Sequence, residues 1–239
     1  MRFTALATDY DGTIADKGVL RPETEWALRA VKRSGRALIL VSGRTHDCFD
    51  EEGPSPKAFD SVGLFDCVVS ENGSVLYFPK SNHTICLAPT VPADVARALG
   101  SLPVQPMWIG KVMISSLTIH EDAIARTLDA HGVHYQREYN RDWVMFTPKG
   151  VTKALGLRSA LQRLGLAPRS TVGIGDSFND LSFLRICGTS FAVGDADTIV
   201  KQTVDHVLGA PGPSGTRQML SDLVDNDLSV WGSPRREIA

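Results

Sequence analysis

The chain has 239 residues, 25 Lys and Arg against 27 Asp and Glu, and 43% hydrophobic residues, the make-up of an ordinary globular protein with an apolar core. A formal charge of −2 with scattered Lys and Arg argues against a nucleic-acid binder, and no run of about 18 apolar residues is present to span a membrane. Four cysteines without a Cys-x-x-Cys pair, and an N-terminus without a basic and apolar leader, set the expectation of reduced thiols in a cytoplasmic enzyme.

Phe3 to Thr8 is a short apolar run that stops at the turn formers Asp9, Asp11 and Gly12, so a buried strand ending in an acidic loop is expected. Arg21 to Ser34 reads as a helix, with Pro22 suited to a first turn and Gly35 to a C-terminal cap. Ala37 to Val41 (ALILV) is continuously apolar, as in a parallel strand covered on both faces, and Ser42-Gly43-Arg44 follows it. Phe65 to Val69 reads as a third strand, and Asn72-Gly73 as a hairpin turn into Ser74 to Phe78.

The texture then changes. Helices near Ala93 to Leu99 and Glu121 to Ala130, a strand near Lys111 to Leu117, and a hairpin of Tyr135 to Tyr139 with Trp143 to Thr147 suggest a small α+β unit. From Thr152 the parallel rhythm returns. A helix to Leu164 capped by Gly165, a strand Ser170 to Ile174, a helix through Leu184, strands Ser190 to Val193 and Asp205 to Leu208 with a short helix between, and a helix Thr216 to Val224 complete the pattern. Ala210 to Gly215 reads as a loop, and Gly232 to Ala239 as a frayed end. The expected fold class is α/β, a Rossmann-like parallel sheet formed by residues 1–81 and 149–239, with residues 82–148 as an inserted α+β cap.

Asp9-Tyr10-Asp11-Gly12-Thr13 is the strongest chemical signal, a pattern that arises by chance about once in 10⁵ positions. Two carboxylates two residues apart at a buried strand end repel each other and need a cation or a shared proton. Asp176 and Asp180, in Gly175-Asp176-Ser177-Phe178-Asn179-Asp180, follow another apolar strand. In a parallel sheet the C-terminal strand ends lie on one side, so the two clusters can meet in a crevice, where their hard oxygens suit Mg²⁺. Ser42 and Gly43 offer a hydroxyl and backbone N–H groups of the kind that hold phosphate oxygens, and Lys153 can supply a positive charge to the same oxygens.

The order DxDGT, strand-terminal Ser, Lys and GDxxND across residues 9 to 180 resembles the haloacid dehalogenase superfamily of phosphotransferases. The position of the insert is similar to that in members with a C2-type cap, the Cof-like sugar phosphatase and phosphoglycolate phosphatase branch, and its roughly 65 residues are few for that branch. Val41-Ser42-Gly43-Arg44 resembles the Thr-Gly-Arg often found there, with the hydroxyl kept. The resemblance implies Asp9 as nucleophile and Asp11 as general acid and base, with Thr13 ordering the turn. It further implies that Ser42 and Lys153 hold the phosphoryl oxygens, and that Mg²⁺ is bound by Asp9, the backbone carbonyl of Asp11 and Asp176. Asp180 is then a more distant or water-mediated metal contact, and Asn179 a partner of the phosphoryl group or of a neighbour. Lys149 and Lys153 both lie near the start of the helix after the insert, and the family pattern favours Lys153. A dehalogenase proper is disfavoured, because its reaction needs no second aspartate and Asp11 is present.

The implied activity is Mg²⁺-dependent hydrolysis of a small phosphorylated metabolite, a sugar phosphate or a phosphoglycolate-like ester, through an aspartyl-phosphate intermediate, with a phosphomutase or phosphotransferase of the same fold, or a non-catalytic ligand sensor, as alternatives. Nucleic-acid and membrane partners are not expected. His131 and His134 flank Gly132 and would not share a helical face, which argues against a metal site there. Gly173-Ile174-Gly175 lacks the third glycine of a dinucleotide fingerprint. Met107, Trp108 and Trp143 suit either the core of the insert or its substrate face, and Arg44 and Arg141 are candidate cations on the substrate side.

Overall fold

A computed structural model of the chain describes residues 1–49 and 62–232. The first half of the large sheet comes from β1 (Ala5–Thr8), β2 (Ala37–Val41) and β3 (Cys67–Ser70), with α1 (Pro22–Arg33) between the first two. A hairpin then adds β4 (Val75–Phe78) and β5 (His83–Cys86). After the insert come α4 (Lys153–Leu164), β10 (Thr171–Gly175), α5 (Leu181–Leu184), β11 (Thr189–Ala192), α6 (Thr198–Thr203), β12 (His206–Val207) and α7 (Gly212–Asn226). Among the described residues the sheet has eight strands in the order β12-β11-β10-β1-β2-β3-β4-β5. Its pairings are parallel from β12 to β3 and antiparallel from β3 to β5.

The reason for this order lies in burial on both faces. Leu38, Ile39, Leu40 and Val41 are all fully buried, and each such side chain contributes about 1.5–3 kcal/mol of transfer free energy. Helix α4 begins at Thr152, whose hydroxyl accepts the Leu155 N–H at 3.2 Å, and ends at Gly165 in a left-handed cap. It packs through Gly156, Leu157, Ala160 and Leu161, a stripe of i, i+4 pairs. A Cβ on Gly156 would lie 2.3 Å from a Val69 methyl, so the missing side chain lets the helix approach β3 closely.

The insert forms a second sheet from β6 (Met107–Ile109), β7 (Ile114–Leu117), β8 (Tyr135–Asn140) and β9 (Trp143–Pro148), in the order β6-β7-β9-β8 and antiparallel throughout. Helices α2 (Ala93–Gly100) and α3 (Glu121–Ala130) cover one face, where Val95, Leu99, Ile114, Ile124, Leu128, Val144 and Phe146 form a separate apolar core. The opposite face carries Gln136, Glu138 and Asn140 of β8 and Trp143, Met145 and Thr147 of β9, since directly paired residues share a face. Met107 packs into the apolar core of the insert, whereas Trp108 stays exposed opposite Ser115, on the other face.

The α/β core with a mixed α+β insert agrees with expectation, with three differences. The large sheet takes His83–Cys86 as its edge strand, although residue 82 was the expected start of the insert. Met107–Ile109 is a strand that three residues without alternation did not announce. Helix α7 starts at Gly212, inside the expected Ala210 to Gly215 loop. Pro213 sits in its first turn, where its missing N–H is harmless, and a Cβ on Gly215 would lie 2.3 Å from the Ala210 carbonyl oxygen, so close packing explains the glycine. The expected frayed end lies outside the described residues beyond Gly232. Among the described residues no helix is long and apolar enough to cross a membrane.

Candidate active site

Asp9 follows directly on β1 and Asp176 directly on β10, and these strands are adjacent and parallel. The two acidic loops therefore meet at one sheet edge, where open α/β folds bind ligands. Carboxylate oxygens of Asp9, Asp176 and Asp180 lie within 4.8 Å of one another, and all three residues are buried. The first turn of α4 delivers Lys153 to this cluster. Its Nζ donates to Asp9 Oδ1 at 2.7 Å and to Asp180 Oδ1 at 2.5 Å, with only 2% of the residue exposed. Lys149 is exposed beyond β9, so of the two candidate lysines it is Lys153 that reaches Asp9.

The second loop is self-ordered. Asp180 Oδ2 accepts the N–H groups of Asp176 and Ser177, both at 3.0 Å, which closes a capping box with Ser177. Thr13 donates its hydroxyl to Asp176 Oδ1 at 3.2 Å, so it tethers one acidic loop to the other. Gly12 has a φ of +80°, and a Cβ there would meet Asp176 Oδ2 at 2.5 Å, which makes glycine the fitting residue on both counts.

Three carboxyl groups crowd round one buried ammonium, with the exposed Arg141 guanidinium the other cation in contact with them. Burial first, then Asp180, holds the Asp9 carboxyl well above the usual carboxylate range despite Lys153. Burial, with Asp180 adding to it, pushes Asp176 up to about 7. Burial pulls the Lys153 ammonium down, but Asp180 and Asp9 outweigh it and keep its pKa above the ordinary value. Crowded hard oxygens whose ionised forms repel one another fit a divalent cation.

Asp11 is placed differently. Its carboxylate is exposed and stands outside that cluster, held by Arg44 through a fork of Nε to Oδ2 at 2.7 Å and Nη2 to Oδ1 at 2.8 Å. The Arg44 guanidinium also lies over the Tyr10 ring, 5.1 Å from its centroid. Ser42 is buried after β2 and its Oγ accepts the Arg44 N–H at 3.1 Å. Asn179 is buried, with neither its Nδ2 nor its Oδ1 given a hydrogen-bond partner. A Cβ on Gly43 would lie 3.3 Å from Met145 Sδ and 3.7 Å from Asn179 Nδ2, so Met145 of the insert closes over this corner.

Two further contacts join the insert to the crevice. At the β8–β9 turn, Arg141 donates from Nη2 to Asp176 Oδ2 at 3.2 Å. On β8, Glu138 accepts from Asn72 Nδ2 at 2.5 Å and from Gln136 Nε2 at 3.0 Å. Glu138 and Asn72 were not singled out from sequence. The period-2 alternation of Gln136, Glu138 and Asn140 was the available signal, but it reads equally well as a solvated face. Among the described residues His131 and His134 belong to no metal-ligating cluster, and His131 Nδ1 pairs with the Thr127 carbonyl at 2.8 Å.

A family model described as haloacid dehalogenase-like hydrolase matches residues 105–216. A phosphoglycolate phosphatase of Methanothermobacter thermautotrophicus is 31% identical over 225 residues, covering 90% of this chain and 96% of the relative. Among solved structures, a haloacid dehalogenase-like hydrolase from Bacteroides thetaiotaomicron superposes with a TM-score of 0.74 at 17% identity, covering 92% of this chain and 99% of that one. A sugar phosphatase of haloacid dehalogenase subclass IIB gives a TM-score of 0.69 at 17% identity, covering 92% and 98%. With the paired acidic loops, the buried lysine and an alignment spanning nearly the whole of both sequences, the chain belongs to the phosphatases of the haloacid dehalogenase-like hydrolases.

Proposed function

We propose that the protein hydrolyses small phosphate monoesters at the crevice between the large sheet and the insert, through a phosphoryl group carried transiently on Asp9. The observation that carries this reading is the buried Asp9 carboxylate at the end of β1, with Lys153 2.7 Å from one oxygen and Asp176 and Asp180 beside it. An oxygen of Asp9 attacks phosphorus and the bond to the leaving oxygen breaks. Once parted from Arg44 and protonated, Asp11, at the open side of the crevice, gives its proton to that oxygen, and the alcohol departs. Asp11 then takes a proton from water as the water oxygen attacks phosphorus, which releases inorganic phosphate and restores Asp9.

Ser42, the N–H groups around Gly43, Lys153 and Asn179 hold the phosphoryl oxygens, and the partnerless amide of Asn179 supports its share in this. The residues suited to a divalent cation, taken as Mg²⁺, are Asp9, Asp176 and the backbone carbonyl of Asp11, with Asp180 orienting Lys153 and the Asp176 loop. Such an ion supplies positive charge that offsets repulsion between these carboxylates and the phosphoryl oxygens. The insert acts as a lid, since Met145 and Arg141 both reach across the crevice. Enclosure of that kind favours small leaving groups over phosphoproteins.

The test is release of inorganic phosphate from p-nitrophenyl phosphate and a panel of metabolite esters. Asp9→Asn is expected to abolish turnover while the protein stays folded, and EDTA is expected to abolish the wild-type activity until Mg²⁺ is restored. Full activity of Asp9→Asn, or undiminished activity in excess chelator, overturns the assignment.

A further inference from the structure

The floor and roof of the crevice differ in what they offer a leaving group. Asn72 follows β3, its backbone N–H bonds the Ser42 carbonyl at 3.1 Å, and it is fully buried. It gives its Nδ2 to Glu138, which fixes the amide orientation because an ionised carboxylate can only accept. The other end of that amide, Asn72 Oδ1, is buried and has no donor. Glu138 carries one donor on each oxygen and keeps lone pairs free on both. Thr147, on the same face of the insert as Met145, has a buried hydroxyl without a partner.

From these acceptors we infer that Glu138, with Asn72, is the specificity determinant of the enzyme, taking leaving groups that bear hydroxyl donors and turning away those that bear a carboxylate. This rests on the phosphatase reading above and narrows its substrate class. A hydroxyl on the carbon chain donates to Glu138 or to Asn72 Oδ1, and so satisfies atoms that otherwise stay unmet in a desolvated site. A carboxylate brings no donor and adds a negative charge beside Glu138. Of the cations around the crevice, Lys153 is already shared between Asp9 and Asp180, Arg141 is engaged at Asp176 on the turn of the hairpin, and Arg44 is held by Asp11. Sites that hydrogen-bond a substrate hydroxyl discriminate strongly against analogues without it.

Matched ester pairs test this, because each pair differs only by CH₂OH against COO⁻: 2-hydroxyethyl phosphate with 2-phosphoglycolate, and erythritol 4-phosphate with 4-phosphoerythronate. The wild-type protein is expected to show kcat/KM at least about tenfold higher for the alcohol of each pair. In Glu138→Gln that ratio is expected to fall toward unity, mostly through a rise in KM for the alcohol, and in Glu138→Ala to fall likewise. Partial misfolding lowers both members of a pair together and leaves the ratio unmoved, so the ratio reports on selection alone. Preference of the wild-type protein for the carboxylates, or a ratio unchanged in both variants, overturns the inference. Absence of turnover on every ester, p-nitrophenyl phosphate included, removes the phosphatase reading and this one together, and is distinguishable from turnover without preference.

Discussion

The insert is fastened to the core at its base and only touched by it at its tip. At the base, the fully buried Glu71 carboxylate accepts backbone N–H groups from His46 of the core at 3.1 Å, and from Lys111, Val112 and Met113 of the insert at 2.9, 2.7 and 2.9 Å. Gln136 adds bonds to the Val151 carbonyl at 2.7 Å and from the Gly150 N–H at 2.9 Å. At the tip, Arg141 makes its 3.2 Å contact with a side chain 69% exposed. Buried, multiply bonded carboxylates hold their partners in one arrangement, whereas a single exposed pair is worth about 0–1 kcal/mol. The contrast fits the proposed lid, with a firm pivot at its base and a loose latch at its tip.

The base also explains a strained stretch of backbone. Glu71, Asn72 and Gly73 have φ values of 50°, 55° and 102°, and of these Glu71 carries a side chain that disfavours the left-handed region. Glu71 turns toward the β6–β7 connection and Asn72 toward β8, so the strain aims two neighbouring side chains at two parts of the insert. A Cβ on Gly73 would lie 2.0 Å from the Thr152 carbonyl oxygen, which ties the same turn to the start of α4 and hence to Lys153.

Breaking the pivot should have the largest effect. Glu71→Ala strips the acceptor from four N–H groups, and a loss of about 3–5 kcal/mol is expected in urea denaturation, with cleavage in the insert by limited proteolysis under native conditions. A milder change sharpens the electrostatics. Burial holds the Glu71 carboxyl above its usual value against the pull of the N–H groups of Val112, Lys111, Met113 and His46. The native state therefore binds this proton more tightly than the unfolded chain does, so its stability contribution is full below the ordinary glutamate range and is lost as pH rises through the elevated folded value. Glu71→Gln should flatten that part of the stability–pH curve, and a slope equal to wild type would contradict it.

Smaller effects are expected further out. Gln136→Ala removes the bonds to Gly150 and Val151 at a half-buried site, and about 1 kcal/mol should disappear from the unfolding free energy. Arg141→Ala should change stability by about 0.5 kcal/mol or less, in keeping with an exposed pair, and a midpoint shift as large as that of Glu71→Ala would reverse the assignment of pivot and latch.

Much of this was legible from residues alone, where local pattern and chemistry coincide. ALILV and the acidic loops after β1 and β10 announce buried strands and what stands at their ends, because continuous apolar runs and turn-forming aspartates are local signals. The strands His83–Cys86 and Met107–Ile109 were missed since three or four residues acquire strand identity only from their neighbours, β4 and β7. Glu71 lies between the expected strand and the Asn-Gly turn, where nothing local marks it. Its partners are backbone groups up to 42 residues away, and nothing in their side chains marks them. The outward turn of Asp11 toward Arg44 was equally hidden, for DxDGT reports two carboxylates in sequence and not that one points in and one out.

The margins of the two sheets bear on how the protein behaves at high concentration. Unpaired strand edges are templates for intermolecular pairing, and proteins blunt them with brevity and charge. One margin of the large sheet is β12, two residues long, and the other is β5, four residues beginning with the exposed His83. In the insert, β6 is three residues long, and β8 carries Arg137 on one face and Glu138 on the other. Among the described residues each margin is thus short or charged, the device by which proteins discourage a strand of another molecule from pairing with an edge and so guard against fibrillar association.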